Sequence, residues 1–521
     1  MPRRLAYFTL LALGGLIANS EPIAASEPIQ IGSRLELFVD DYLIERLDGV
    51  QLRMHHPIAR ETVWRESNQT SDQWWGGANR SVSVFKDGPI YRMYYRDYAR
   101  VANGWTIPGG FGDQDISCCY AESQDGIHWK RLPINRYKTE DLKVNNIIFA
   151  GTGATNFAVF KDANPRCRPG ARYKAIGRVM FQAGADPDPP KRDRTGYDWL
   201  PRIGLLAFQS PDGLHWKVMQ TKRIIKKGEF DSHNVAFWDA TRQRYAAFIR
   251  IWMPDGTKIR SVALLTSRDF LNWSDPPKWL KYRRATTGLT TKKAQPTHLY
   301  DNNIMPYYRA PHIIMGFPMR LIGGRVRIKD NPLKEETAVN DTGFMTSRDG
   351  LHFRRWRAGF LRPGPDSGRW WNENNCIAWG MIETKSHLED APPELSFFAN
   401  EYYGDARRSN LRRYTLRLDG FVSLHAEEPG EVVTRPLLFR GKQLTMNFAT
   451  SGIGSVRVEL QEVDGQPIPG FTLRESREIY GDSINEVVTW KGATNLQELA
   501  GRPLRIRFVM EDADIWSIRF R

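Results

Sequence analysis

Through most of the chain, short apolar runs alternate with turn residues, and almost no stretch keeps a helical period. "RSVSVFKDGPIYRMYYR" (Arg80–Arg96), "TNFAVFKDANPRCRPGARYKAIGR" (Thr155–Arg178) and "HNVAFWDATRQRYAAFIR" (His233–Arg250) share one plan. An apolar strand ends at a Lys-Asp or Trp-Asp turn, and a Tyr-rich strand follows. Pro296–Arg320 is a looser fourth version, and Asn374–Gly404 with Asn410–Leu424 makes a fifth. A further strand-like run then leads into a recurring turn: "SQDGIHW" (Ser123–Trp129), "SPDGLHW" (Ser210–Trp216), "SRDFLNW" (Ser267–Trp273) and "SRDGLHF" (Ser347–Phe353). Asp-Gly favours a tight turn because Asp bonds locally and Gly accepts positive φ. The motif is therefore read as a structural corner, with Ser and Asp capping the turn and the aromatic residue covering an apolar edge. Four strands per unit, repeated, predict an all-β chain in which residues 35–425 form a five-bladed β-propeller. Beyond Leu424 the period-two alternation of "GSVRVELQEVDGQPIPGFTL" and "GRPLRIRFVMEDADIWSIRF" predicts a C-terminal β-sandwich over residues 430–521. Helix is expected at most as a short turn in Thr494–Gly501.

The N-terminus departs from this pattern. Arg3 and Arg4 precede an apolar run from Leu5 to Ala18 and then small residues, so residues 1–26 read as a secretion signal and the product as secreted or periplasmic. A membrane span needs about 20 apolar residues, and this run is shorter. The formal charge of +15 favours an anionic partner. Export and the absence of a Lys/Arg-dense tract argue against nucleic acid. Four cysteines, Cys118, Cys119, Cys167 and Cys376, are too few for a disulfide scaffold and lack zinc-ligand spacing. One bridge, from Cys118 or Cys119 to Cys167, is left open, and a monomer is expected.

A signal, five propeller units and a sandwich resemble glycoside hydrolase family 32, the β-fructosidases, and the wider superfamily with families 43 and 68. The residues carrying the likeness are Leu37–Pro57, Phe230–Asp239, Pro306–Pro318, Arg412–Leu424 and the C-terminal stretch. They are similar to secreted bacterial proteins described as family-32-like. The resemblance implies cleavage of a glycosidic bond by carboxyl groups on the inner strands of the first three blades. Here the chain departs from the family: aligning the repeats puts Ser81, Asn156 and Asn234 at those positions. The Asn-Asp-Pro-Asn-Gly and Arg-Asp-Pro motifs are absent too.

Hydrolysis needs a proton donor and a base or nucleophile across the scissile bond. Asp231, just before the third inner strand, matches the family's proton-donor position most nearly; a turn cap is the plain alternative. Glu401 in "ANEYYG" and Glu373 in "DSGRWWNENN" are the candidates to face it. The plain alternatives are an ion pair of Glu401 with Arg407 or Arg412, and a solvated loop for Glu373. Asp366 and Asp72, each beside paired tryptophans, share this ambiguity. Arg80, Asn156, His233, Asn234, Arg309 and Trp371 are the candidate substrate-binding residues. His298 and His312 are set beside them, without a spacing that supports a metal; no cofactor is expected. Arg80 and Arg309, placed near the axis, could read a sulfate or uronate, or could pair with aspartates inside the blades. The leading function is hydrolysis of a poly- or oligosaccharide. A non-catalytic carbohydrate-binding propeller is the alternative, and a sialidase-like enzyme, which six units would fit better, is third.

Overall fold

The computed structural model describes residues 27–65, 80–98, 101, 103–108, 110–111, 116–139, 144–182, 185, 202–283, 297–325, 327, 338–403, 408–492 and 495–521. Residues 1–26, expected to be a secretion signal, and Asp72 lie outside them. Among the described residues the chain is all-β, with only three-residue helical turns. Blade one is built from Arg80–Asp87, Ile90–Tyr98, Ile116–Ser123 and Lys130–Arg131. Blade two takes Ala158–Lys161, Tyr173–Phe181, Ile203–Ser210 and Lys217–Val218; blade three takes Val235–Asp239, Arg244–Trp252, Arg260–Ser267 and Lys278–Trp279. Blade four is interrupted between Gly316 and Met319, so its strands divide into two hydrogen-bonded groups. Blade five takes Ile382–Thr384, Glu394–Glu401 and Asn410–Arg417, and its outer strand, Ile58–Arg65, comes from the N-terminal side. Inner strands such as Val235–Asp239 are buried throughout, so they read as continuous apolar runs rather than alternating ones.

The blades form a closed ring. Val84 N–H donates to Trp379 O at 2.8 Å and Trp379 N–H donates to Val82 O at 2.9 Å, which joins blade five to blade one. Two repeated devices bolt each blade to the one before it. Tyr91, Tyr173 and Tyr245 begin the second strands of blades one to three, and their hydroxyls donate to Glu383 O of blade five, Asp87 of blade one and Asp162 of blade two. This explains the Tyr-rich strands in the sequence.

The recurring Ser-x-Asp turn is the second device. In each copy the Ser hydroxyl accepts the N–H three residues on, while one Asp oxygen accepts two further backbone N–H groups. The turn needs a left-handed fourth residue: Gly126, Gly213 and Gly350 have φ of 76°, 81° and 81°, and Phe270 adopts 70° in the third copy. An aromatic residue of each corner then crosses to the preceding blade, the closing Trp or Phe in three copies and the left-handed Phe270, in place of Trp273, in the third. Trp129 meets Phe398 at 5.8 Å, Trp216 meets Tyr94 at 6.5 Å, Phe270 meets Phe160 at 5.6 Å and Phe353 meets Phe248 at 6.2 Å. A fifth, divergent copy closes the set. Asp419 has φ 62°, and Phe421 packs on Tyr307 of blade four at 5.3 Å.

The C-terminal unit is one eight-stranded hydrogen-bonded sheet curled over its own core. Its long strands, Leu444–Gln461 and Arg505–Phe520, pair along most of their length across a register shift between Thr450 and Ser455. Glu36–Leu37, Ile44–Asp48 and Gln51–Met54 pair with C-terminal strands. The first part of the expected 35–425 span therefore belongs to this sheet and not to the blades. Buried ion clusters join the two units. Arg348, the second residue of the fourth turn copy, donates to Glu36 at 2.7 Å and to Asp40 at 2.8 Å. Burial alone would raise the Glu36 pKa, but His312 Nε2 at 3.2 Å and the charges of Arg348 and Arg34 outweigh it and hold it at about 2. The suggested disulfide is absent. All four cysteines are free: Cys118 and Cys119 are buried in a blade-one strand, and Cys167 lies in a blade-two loop beside Lys174.

Truncating Phe353 to Ala should cost about 3–5 kcal/mol, read as a lower chemical-denaturation midpoint. Because the Glu36 pKa is depressed from an ordinary 4.5 to about 2, its stabilisation is complete above pH 4.5 and lost as pH falls towards 2. The Tm gap between wild type and Glu36→Gln should accordingly be widest near neutral pH and narrow below pH 4.5.

Candidate functional site

At the axis, the positions expected to face substrate instead tie the blades together. Ser81 Oγ–H donates to Asn156 Oδ1 at 2.8 Å, and Asn156 Nδ2 donates to Phe230 O at 3.4 Å, linking blade one to two and two to three. His233 N–H donates to Asp301 Oδ1 at 2.8 Å, and its Nδ1 lies 3.2 Å from Asn303 Oδ1. Asn303 Nδ2 then reaches Ile377 O of blade five at 2.6 Å. Asn234 is taken up locally, its Oδ1 accepting from Arg250 N–H at 2.8 Å and its Nδ2 donating to Ser232 O at 3.0 Å. Ser81, Asn156, Asn303 and Asn375 take left-handed φ of 49°, 54°, 42° and 58° where the chain turns in towards the axis. Asn tolerates that conformation better than most residues, which accounts for its use here. The cavity left among Ser81, His233, Asp301, Asn303 and Cys376 measures about 10 Å³, at most one water. The axis is closed.

Antiparallel order places the inner-strand starts, the second-strand ends and the third-strand starts on one face of the propeller, its mouth. Asp231 lies there with its side chain 70% exposed, 3.6 Å from Arg178 Nη1. It accepts the Tyr300 hydroxyl at 3.4 Å. The Arg250 guanidinium sits 4.6 Å from the centre of the Tyr300 ring; the residue is 3% exposed, and its Nε and Nη1 have no hydrogen-bond partner among the described residues. Arg260 lies 5.0 Å from the same ring and 5.2 Å from Trp252. The Arg260 backbone N–H donates to His298 Nδ1 at 3.2 Å, so the neutral His298 ring carries its proton on Nε2. Burial and the Arg260 charge both lower the His298 pKa.

Glu229, two residues before Asp231, completes this group. Its pKa is raised chiefly by burial and further by the Asp231 charge, against the opposing pull of Arg250 and a hydrogen bond from Trp252. The sequence reading missed Glu229 and Tyr300. The signal available was an acid either side of Phe230, a core residue that anchors the segment between them.

The remaining candidates lie elsewhere. Glu401 is 1% exposed, held by Arg412 Nε at 3.0 Å, the Tyr414 hydroxyl at 2.6 Å and Arg369 Nη1 at 3.3 Å. It is the Glu401–Arg412 ion pair foreseen as the plain alternative. Glu373 has φ 66° and uses its carbonyl to accept from Asn400 Nδ2 at 2.6 Å. Trp371 is buried, its Nε1 donating to Tyr403 O at 2.7 Å. Asp366 caps a short turn through Gly368 N–H and accepts the Tyr402 hydroxyl. Arg309 corrects the sequence reading: it lies not near the axis but in the turn between the first two strands of blade four, paired with Asp419 at 2.9 Å where the C-terminal sheet meets the propeller. His312 belongs to the Glu36 cluster. The backbone of Arg80 pairs with Arg96 in blade one; its side chain lies outside the description. Among the described residues no group of His, Cys, Asp and Glu is arranged to hold a metal.

The sequence matches no family profile and no curated relative. In structure the chain is similar to glycoside hydrolases of families 32 and 43. A family 32 β-fructofuranosidase from Bombyx mori matches over 90% of this chain and 94% of its own at 9% identity, with a TM-score of 0.39. A family 43 arabinoxylan arabinofuranohydrolase from Bacillus subtilis matches over 88% and 99% at 12% identity, with a TM-score of 0.37.

Placing a carboxylate at the axis should harm folding without creating activity. Asn156→Asp removes the donor to Phe230 O and buries a charge, at a cost of about 2–3 kcal/mol. Thermal unfolding and a glycan-hydrolysis assay on the same variant check both parts.

Proposed function

We propose that the protein is an exported glycoside hydrolase acting on an anionic poly- or oligosaccharide at the mouth of the propeller. The observation that carries this reading is the Glu229–Asp231 pair set among Arg178, Arg250 and Arg260. Two carboxyl groups in unlike environments are what glycosidic cleavage requires. Glu229, whose burial favours the protonated form, is the proton donor to the departing glycosidic oxygen. Asp231, ion-paired with Arg178, takes a proton from the water that attacks the anomeric carbon. This moves the donor role from Asp231, where the sequence alone would put it, to its more buried neighbour. The arginines supply forked donors for a substrate sulfate or carboxylate. Export is supported by the Arg3-Arg4 and Leu5–Ala18 leader pattern.

A purified sample screened on neutral and sulfated or uronate-rich polysaccharides should release reducing ends from the anionic ones. Glu229→Gln and Asp231→Asn should each lower turnover about 100-fold or more while Tm stays within a few degrees. Normal turnover in both folded variants would exclude the pair. The closed axis favours a second reading, a carbohydrate-binding protein without catalysis. Salt-sensitive retention on an anionic glycan with no reducing ends formed, in wild type and variants alike, would select it.

A further inference from the structure

The opposite face of the propeller, where the first hairpins and the Ser-x-Asp turns lie, carries a groove that the mouth chemistry leaves unused. Its volume is about 930 Å³, and its walls come from the blade-two loop at Asn164 and Arg166, the blade-three hairpin at Trp238 and Arg242–Arg244, and the corner Thr266–Ser274. The lining is dominated by donors. Among the described residues Arg166, Arg244 and Arg268 have no carboxylate partner, while Arg242 is paired to Asp239 at 2.8 Å. Trp238 is 8% exposed, and its Nε1, like the Nε of Arg244, is buried with no hydrogen-bond partner among the described residues. The one acid in the wall, Asp269, is committed to its own turn: it accepts from Ser267, from the Leu271 and Asn272 N–H groups and from the Asn272 side chain.

Such a surface calls for a ligand that brings several negatively charged acceptor oxygens. The volume is too large for a single inorganic anion and lies in the range of about 300–1,000 Å³ that holds an extended small ligand. We propose that this groove is a second, non-catalytic binding site for a segment of sulfated or uronate-bearing oligosaccharide. Guanidinium forks at Arg166, Arg244 and Arg268 grip the acidic groups. The site lies on the face opposite Asp231, so it holds a chain on the protein without any contact at the mouth. The proposal does not depend on hydrolysis, because its test reads binding alone.

The probe is a sulfated galactan hexasaccharide, titrated calorimetrically into full-length protein carrying Asp231→Asn to prevent turnover. Its desulfated counterpart and a thymidine oligonucleotide of equal charge serve as comparisons. The groove variant combines Arg166→Glu with Arg268→Glu, both exposed side chains. Lys130→Glu with Lys138→Glu, on blade one, gives the same change in net charge away from the groove. The groove variant should lose one binding site, or weaken it at least tenfold, while the lysine variant binds as the parent does. Trp238→Phe, which keeps a ring and removes the N–H, should weaken the same site several-fold. Unchanged binding by the groove variant would overturn the proposal. So would equal weakening by the lysine pair, equal affinity for the desulfated sugar, or equal affinity for the oligonucleotide, which would mark plain polyanion attraction.

Discussion

The ring stands on one contact made five times: an aromatic side chain thrown from the corner of one blade into the apolar edge of the blade before it. A single blade buries one face of its sheet only against neighbours, so a propeller is stable only when every interface is filled. Trp129, Trp216, Phe270, Phe353 and Phe421 fill all five. The geometry that aims them is unforgiving. A Cβ at Gly213 would lie 2.4 Å from Tyr94 Oη, and one at Gly126 would lie 2.6 Å from Ile382 Cδ1. Phe270 enters the same left-handed conformation without glycine's freedom and is held there by Phe160, Tyr245 and Trp273 around its ring.

Tight interfaces have a consequence at the centre. Five blades bolted this closely bring their inner strands within hydrogen-bonding reach, and the polar residues there satisfy one another from blade to blade. Ser81, Asn156, His233, Asp301 and Asn303 are consumed in that closure. An unpaired polar group in so small a void would carry a penalty of about 1–3 kcal/mol. At the aligned inner positions Ser81, Asn156 and Asn234 are thus taken up in packing, and the acid present in this axis, Asp301, is itself held by the His233 N–H.

Much of this was legible in the residues. The corner motif and the strand pairs repeat plainly enough to give the all-β class and the unit count, because turn chemistry and burial act locally. The fifth corner at Asp419-Gly420-Phe421 was not recognised, since it lacks the Ser and the aromatic residue comes two positions after Asp instead of four. The outer strand of blade five, Ile58–Arg65, was hidden for a different reason: its partner, Asn410–Arg417, lies at the far end of the chain. Glu401 shows the limit for site residues. A carboxyl in an aromatic segment reads equally as catalyst or ion pair until Arg412, Arg369 and Tyr414 are seen around it.

A repeat that was present but unread ties the two faces together. "YRMYYR" (Tyr91–Arg96), "YKAIGR" (Tyr173–Arg178) and "YAAFIR" (Tyr245–Arg250) each span one second strand, with Tyr at the base end and Arg at the mouth end. The tyrosines serve the fold by donating to the preceding blade. The arginines arrive at the mouth because a strand of fixed rise carries them there, about 3.3 Å per residue. Each then meets a different neighbour: Arg96 the Tyr403 hydroxyl, Arg178 the Asp231 carboxylate, Arg250 the ring of Tyr300. The three arginines at the mouth are thus a property of the repeat in blades one to three. What distinguishes the sector between blades two and four is the pair of acids, Glu229 and Asp231, that the chain sets beside those arginines.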